Sequence, residues 1–281
     1  MPRCHAKGGG LERPFTGFFL CHVSAKEEIL LKKYMLLMGI VVLAALAFVG
    51  TRSTSEASDD DGLRTYRVTI ENETAGQPFS PGVAITHKRS TGLFHVGDQA
   101  SAGIEAIAED GNDGPAVAAE MAAQGITDVF DINRPITRED TTVGGFTDEF
   151  TFEIKARPRD RLSLAVMLIC TNDGFTGLDS VKLPKEGSVT YHAAGYDAGT
   201  ENNTERSADI VDPCSALGPA PLAGDPNGNE DAAVDTSPHG TIHHHPGIAG
   251  GADLSPSMHD WTNPVAEITI ERIDGEHEDD D

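Results

Sequence analysis

Two neighbouring segments near the middle of the chain have the apolar patterns of β-strands. Residues 146–158 place Phe150, Phe152 and Ile154 between polar side chains, which is the two-residue period of a strand with one buried face. Residues 161–170 are almost continuously apolar, as expected for a central strand that is buried on both faces. Asp160 lies in the short turn between them, so the pair predicts a β-hairpin.

Further short strands and two short helices are predicted on both sides of this pair. The other strand candidates are residues 65–74, 82–87, 126–132, 188–197 and 265–273. Helical spacing of apolar residues predicts helices over 98–110, with Asp98 or Ser101 as the cap, and over 115–125. Many short strands separated by turn signals favour an all-β fold, an antiparallel β-sandwich with short inserted helices.

Two acidic, glycine-containing segments follow predicted strands, at residues 171–180 and 196–204. They contain Asp173, Asp197 and Glu201, and Ca²⁺ is bound by such hard oxygen ligands in irregular geometry. Glycines at 174, 177 and 199 would allow backbone carbonyls to turn toward the ion. The alternative is that these are solvated carboxylates of an acid-rich chain.

The same segments resemble the spondin domain, the module of F-spondin and mindin. The resemblance rests on T-N-D-x-F-x-G-L-D (171–179) and Y-D-A-G-T-E (196–201), and continues through 77–87, 93–101, 242–254 and 259–270. It implies a C2-like antiparallel β-sandwich over roughly residues 64–273, with a calcium ion at one end held by Asp173, Asp197 and Glu201. Two positions depart from the pattern, because Glu201 stands where the animal proteins have aspartate and Gly174 where they often have an aromatic residue.

The N-terminal part differs from the rest in composition and predicts export. We divide the chain into an extension (1–34), a signal peptide or membrane anchor (35–52), an acidic linker (53–63), the spondin-like domain (64–274) and an acidic tail (275–281). The apolar run follows two lysines and precedes a polar segment, as in export signals, and it is short for a full membrane span. A buried core helix is the alternative. The protein is therefore expected to be secreted or anchored on the outer face of the cell membrane.

The formal net charge of −24 limits the classes of partner. Nucleic-acid binding needs a basic surface, and an anionic membrane surface would repel so acidic a chain. The composition also resembles that of secreted proteins of halophiles, in which high salt screens the self-repulsion of the chain.

Two of the four cysteines, Cys170 and Cys214, lie in the predicted exported part, where disulfides persist. Cys170 ends the strand that leads into the Asp173 segment, and Cys214 follows the segment that contains Asp197 and Glu201. We expect a disulfide between them, closing a loop of about 44 residues and contributing roughly 3–4 kcal/mol. Two free buried thiols are the alternative.

The histidine-rich residues 239–247 form a possible second metal site. His243 and His245 would share a face of an extended strand, and neutral imidazoles bind Zn²⁺ or Cu²⁺. The alternative is a strand edge and turn packed near the C-terminal strand. Residues 205–238, rich in Asp, Asn, Pro, Gly and Ala, predict a long mobile loop.

The sequence contains no G-x-S-x-G, phosphate-binding loop or dinucleotide-binding signature, so we do not expect an enzyme. The leading hypothesis is an exported calcium-binding β-sandwich that acts as a cell-surface or extracellular binding or adhesion module. Its partner would be an unidentified protein or glycan. The alternative hypothesis is a secreted metalloenzyme or metal-handling protein that uses His243 and His245.

Overall fold

The computed structural model describes residues 62–222 and 240–273. The predicted extension, the predicted leader and the acidic tail lie outside these ranges, as does nearly all of the linker. No helix within the described ranges is long and apolar enough to cross a bilayer.

Two antiparallel sheets form a sandwich, which confirms the predicted fold class. The first sheet has four strands, in the order β6 (Glu149–Ala156), β1 (Arg64–Asn72), β12 (Ala266–Arg272) and β9 (Ser188–Ala193). The second has six strands, in the order β11 (His243–His244), β10 (Gly195–Asp197), β8 (Gly174–Lys182), β7 (Arg161–Leu168), β2 (Phe79–His87) and β3 (Ile126–Ile132). A separate ribbon joins β4 (Thr142–Val143) and β5 (Phe146–Thr147).

The alternating pattern of the first sheet directs one face of each strand into the core. Val68 and Ile70 of β1 are fully buried, opposite Ile270 and Ile268 of β12. Phe152 of β6 pairs with Val68 from the other side. These side chains pack against apolar side chains of β7 in one cluster, which is the core between the two sheets.

The predicted hairpin of residues 146–170 is wrong in its pairing, although both strands exist. β6 pairs with β1 in the first sheet, whereas β7 pairs with β2 and β8 in the second. Residues 157–160 therefore carry the chain from one sheet to the other. An apolar pattern specifies which face of a strand is buried, but not which strand lies beside it.

Strand β8 was not predicted from the sequence. Most of the acidic segment 171–180 is strand rather than loop, and only residues 171–173 lie before it. Gly177 belongs to β8, where a Cβ atom would overlap the carbonyl oxygen of Leu164 on β7. Gly177 therefore allows close packing of β8 on β7, and its predicted role in turning a carbonyl toward an ion stays a prediction.

A second apolar layer covers the outer face of the six-stranded sheet. It includes helix α1 (Ala102–Asp110), which packs on β7 and on α2 (Gly114–Ala122), close to the predicted helical ranges. The side chain of Ser101 accepts a hydrogen bond from the backbone N–H of Ile104, so Ser101 is the N-cap. The continuous apolar run of β7 is explained because this strand is buried by the sheet core on one face and by this layer on the other.

A Cys170–Cys214 disulfide is present, as predicted, and both cysteines are fully buried. Cys214 lies in helix α3 (Pro213–Leu217), beside the buried Ile210 and Val211. The first part of the predicted loop 205–238 is thus packed against the sandwich, and residues 223–239 lie outside the described ranges.

Candidate metal centre

Asp173 lies between β7 and β8 and is fully buried. Its Oδ2 atom accepts hydrogen bonds from the backbone N–H groups of Thr200 at 2.8 Å and Glu201 at 3.0 Å. Its backbone carbonyl accepts a third bond from the N–H of Ala198. The structure therefore joins the two acidic segments that the sequence placed together.

The other oxygen of this carboxylate, Oδ1, is buried and has no hydrogen-bond partner among the described residues. Burial raises the pKa of Asp173 to about 6, and the nearby charge of Asp197 adds to the effect. Hydrogen bonds from the Glu201 and Thr200 backbone act in the opposite direction. A buried carboxylate with one unsatisfied oxygen is costly unless a cation or another donor reaches it.

Asp197 ends β10 and is almost completely buried. Its Oδ1 accepts a hydrogen bond from the N–H of Gly199 at 2.8 Å, and its Oδ2 accepts one from Nδ2 of Asn203 at 2.7 Å. Gly199 has a φ of +71°, a left-handed conformation that favours glycine and creates the tight turn after β10. Residues that follow β10 thus hold both oxygens of the Asp197 carboxylate.

Glu201 is also buried, and its carboxyl group lies in a strongly negative environment. Burial, and after it the negative charges of Glu109 and Asp173, raise its pKa to about 9. At neutral pH this carboxyl group is therefore protonated unless positive charge is brought to it.

Glu109 is a fourth buried carboxylate near these three, and it was not predicted from the sequence. It lies in the last turn of α1, and burial raises its pKa to about 7, against a side-chain hydrogen bond with Thr200 that lowers it. One signal was available, because Glu109 and Asp110 end a helix, where the helix dipole disfavours negative charge. We refer to Asp173, Asp197, Glu201 and Glu109 as the acidic cluster.

The acidic cluster fits calcium in its donor chemistry, since all of its side-chain ligands are hard oxygens and one of them has no partner. Within residues 62–222 and 240–273, however, no three His, Cys, Asp or Glu side chains converge tightly enough to hold an ion as they stand. Two oxygens of Asp197 are already engaged by protein donors. Binding would therefore require side chains of the acidic cluster to move toward Asp173.

The histidine segment lies directly beside the acidic cluster. β11 pairs with β10 so that His243 is opposite Asp197, and Nδ1 of His243 is 3.8 Å from Asp197 Oδ1. His243 is exposed, whereas His245 is buried against the ring of Trp261, with 5.0 Å between ring centroids. Burial lowers the pKa of His245 to about 4, so its imidazole is neutral at physiological pH.

The two histidines make different local contacts. The Nδ1 atom of His245 accepts a hydrogen bond from the N–H of Gly247, and that of His243 lies 2.8 Å from the carbonyl of Thr241. The second metal site stays a prediction, and the packing described here also agrees with the alternative of a strand edge and turn.

A protein-family model described as Spondin_N matches residues 71–212. The match includes Cys170 and all four members of the acidic cluster, and ends before Cys214 and the histidine segment. Comparison with curated proteins gave no significant match.

Proposed function

The chain belongs to the Spondin_N family, whose members are extracellular binding modules, and on that premise we propose that it is a calcium-stabilised adhesion module. The buried disulfide agrees with an exported protein. The observation that carries the calcium proposal is the Asp173 carboxylate, which is fully buried with one oxygen lacking a hydrogen-bond partner among the described residues.

The ion would be held by side-chain oxygens of Asp173, Asp197 and Glu201, with Glu109 as an additional candidate. Calcium would supply the positive charge that allows these buried carboxyl groups to be ionised together. Its expected role is structural, because it would fix the turn at residues 171–173 against the turn at 197–201. That rim of the sandwich would then be a rigid surface for a protein or glycan partner.

The alternative of a metalloenzyme or metal-handling protein gains no support from the described residues. His243 and His245 do not form a cluster with a third ligand there. The domain that defines the family is a non-enzymatic extracellular module, and this property agrees with the prediction that the protein is not an enzyme.

Replacement of Asp173 by asparagine separates the calcium proposal from a purely structural role of this residue. Asparagine retains an oxygen that can accept the Thr200 and Glu201 N–H bonds, but it carries no charge. Asp173 has a folded-state pKa of about 6 against an ordinary 3.8, so ionisation at pH 8 costs up to about 3 kcal/mol. In EDTA at pH 8, Asp173→Asn should therefore be more stable than the wild type.

In the presence of calcium the wild type should be more stable than Asp173→Asn, because the wild type binds the ion and the variant does not. Calcium titration calorimetry on the full-length protein should show one binding event that Asp173→Asn removes. Glu149→Gln, which removes an exposed carboxylate of β6, is the matched control and should retain the event. An Asp173→Asn protein that binds calcium as the wild type does would refute the proposed ligand set.

The adhesion part of the proposal needs a separate assay. Cells of the source organism should adhere to a surface coated with the wild-type protein in calcium and detach in EDTA, and Asp173→Asn should give no calcium-dependent adhesion. Equal adhesion in calcium and EDTA would contradict the role of the calcium-fixed rim.

A further inference from the structure

A concentration of positive charge surrounds a cavity of about 500 Å³. Seven of its lining side chains are Lys or Arg, a third of the 21 in a chain that has 45 Asp and Glu. The turn between β6 and β7 contributes Arg157 and Arg159, and β7 begins with Arg161. We refer to this cavity as the basic pocket.

Four further cations reach the basic pocket from other parts of the sandwich. Arg64 begins β1 and Arg272 ends β12, while Lys182 ends β8 and Lys185 follows it. Strand β8 starts beside Asp173 and has nine residues, so the pocket lies about 30 Å from the acidic cluster along the strand. The two ends of one strand thus carry opposite charge.

Five of the seven basic side chains of the pocket have no carboxylate partner among the described residues. In the described part of the chain, Arg64, Arg159, Arg161, Lys182 and Lys185 make no ion pair. Cations that lie close together repel one another, which is unfavourable. Because Asp and Glu outnumber Lys and Arg in this chain, a group of cations without carboxylate partners favours a binding site for an anion.

The single acidic residue of the lining, Asp160, is used to build the turn. It is buried, and its Oδ2 accepts hydrogen bonds from Oγ1 of Thr127 at 2.6 Å and from the N–H of Arg157 at 2.8 Å. Arg159 has a φ of +77°, a left-handed conformation that favours glycine. The turn therefore carries a cationic side chain at a position where glycine would be less strained.

We propose that the basic pocket binds an acidic oligosaccharide, a soluble sugar chain that carries several carboxylate or sulfate groups. A single anion cannot contact cations that come from four separate segments around a cavity of this size, so the ligand must be multiply charged. An anionic membrane would face the whole molecule and would be repelled by its net charge of −24. A narrow sugar chain would contact only the basic pocket. An extracellular module meets such glycans directly.

This proposal is independent of calcium, because no member of the acidic cluster lines the basic pocket. If calcium binding fails and glycan binding succeeds, only the metal site is refuted. The reverse result refutes only the glycan site.

The test measures binding of a sulfated dextran oligosaccharide to the full-length protein by calorimetry, with an unsulfated oligosaccharide of equal length as the ligand control. Binding should weaken when salt is raised from about 0.15 M to about 1 M, because the Debye length falls from about 8 Å to about 3 Å. The double variant Arg159→Gln/Lys182→Gln should lose about tenfold in affinity, about 1.4 kcal/mol. Arg67→Gln/Lys155→Gln removes the same charge from the exposed side of the first sheet and should bind within about twofold of the wild type.

Three results would overturn the proposal. The first is equal loss of affinity in both double variants, which would mean attraction by overall charge. The second is binding to vesicles of anionic lipid without binding to the sulfated oligosaccharide. The third is oligosaccharide binding only after removal of residues 274–281, which would make the acidic tail of this chain the occupant.

Discussion

Removal of the Cys170–Cys214 disulfide should destabilise the sandwich by an amount that follows from its loop length. The bond joins residues 44 positions apart. Closing such a loop removes about 13 cal/mol/K from the entropy of the unfolded chain, which corresponds to about 4 kcal/mol at 25 °C. In a domain of this size, the melting temperature should fall by about 8–16 °C.

The double variant Cys170→Ala/Cys214→Ala tests this value by urea unfolding followed by circular dichroism. The dependence of unfolding on urea should also steepen, because the unfolded chain without the crosslink exposes more surface. Cys4→Ala/Cys21→Ala is the matched control, since it removes two cysteines from outside the predicted exported part, and it should unfold as the wild type does. A loss of less than about 1 kcal/mol in the Cys170/Cys214 variant would refute the reasoning that the crosslink acts through the unfolded state.

Three further predictions concern the core, a glycine and a buried histidine. Ile70→Ala should lower the free energy of unfolding by about 2–5 kcal/mol in urea, because Ile70 is fully buried between the two sheets; a loss below about 1 kcal/mol would contradict that packing. Gly177→Ala should yield little folded protein. The control Gly187→Ala has open space around it but a φ of +60°, so it should lower the free energy of unfolding by only about 1 kcal/mol. Similar soluble yields of the two variants would show that Gly177 is not closely packed. Burial lowers the pKa of His87, so the unfolded state takes up a proton near pH 6.5 before the folded state does, and stability falls as the pH drops below that value. The wild type should therefore lose more stability than His87→Gln between pH 7 and pH 5, and parallel losses would contradict a neutral buried His87.

The strands of the fold could be predicted from the sequence because burial on one face leaves a two-residue period. β3 has the predicted bounds, and β12 has nearly the predicted bounds. Partners could not be predicted, since β6 and β7 look like a hairpin but lie in different sheets. The predicted strand 188–197 similarly divides into β9 and β10, one in each sheet.

The composition of the candidate site could be predicted only in part. Asp173, Asp197 and Glu201 lie in two segments with turn-forming residues, and the structure brings those segments into direct contact. Glu109 comes from a helix more than sixty residues earlier, and only the packing of α1 on the sheet brings it there. The basic pocket was hidden for the same reason, because its cations come from strand ends that are distant in sequence and the net charge has the opposite sign.

Calcium-dependent melting of the full-length wild type and of Asp197→Asn tests the central claim most directly. At a calcium concentration about 100-fold above the dissociation constant, binding should stabilise the wild type by about 2.7 kcal/mol. That stabilisation corresponds to a rise of about 5–11 °C in melting temperature, which EDTA should reverse. Asp197→Asn should melt at the same temperature with and without calcium. A wild-type protein that is folded in both conditions and melts identically in calcium and EDTA would contradict the claim that an ion joins the two acidic turns.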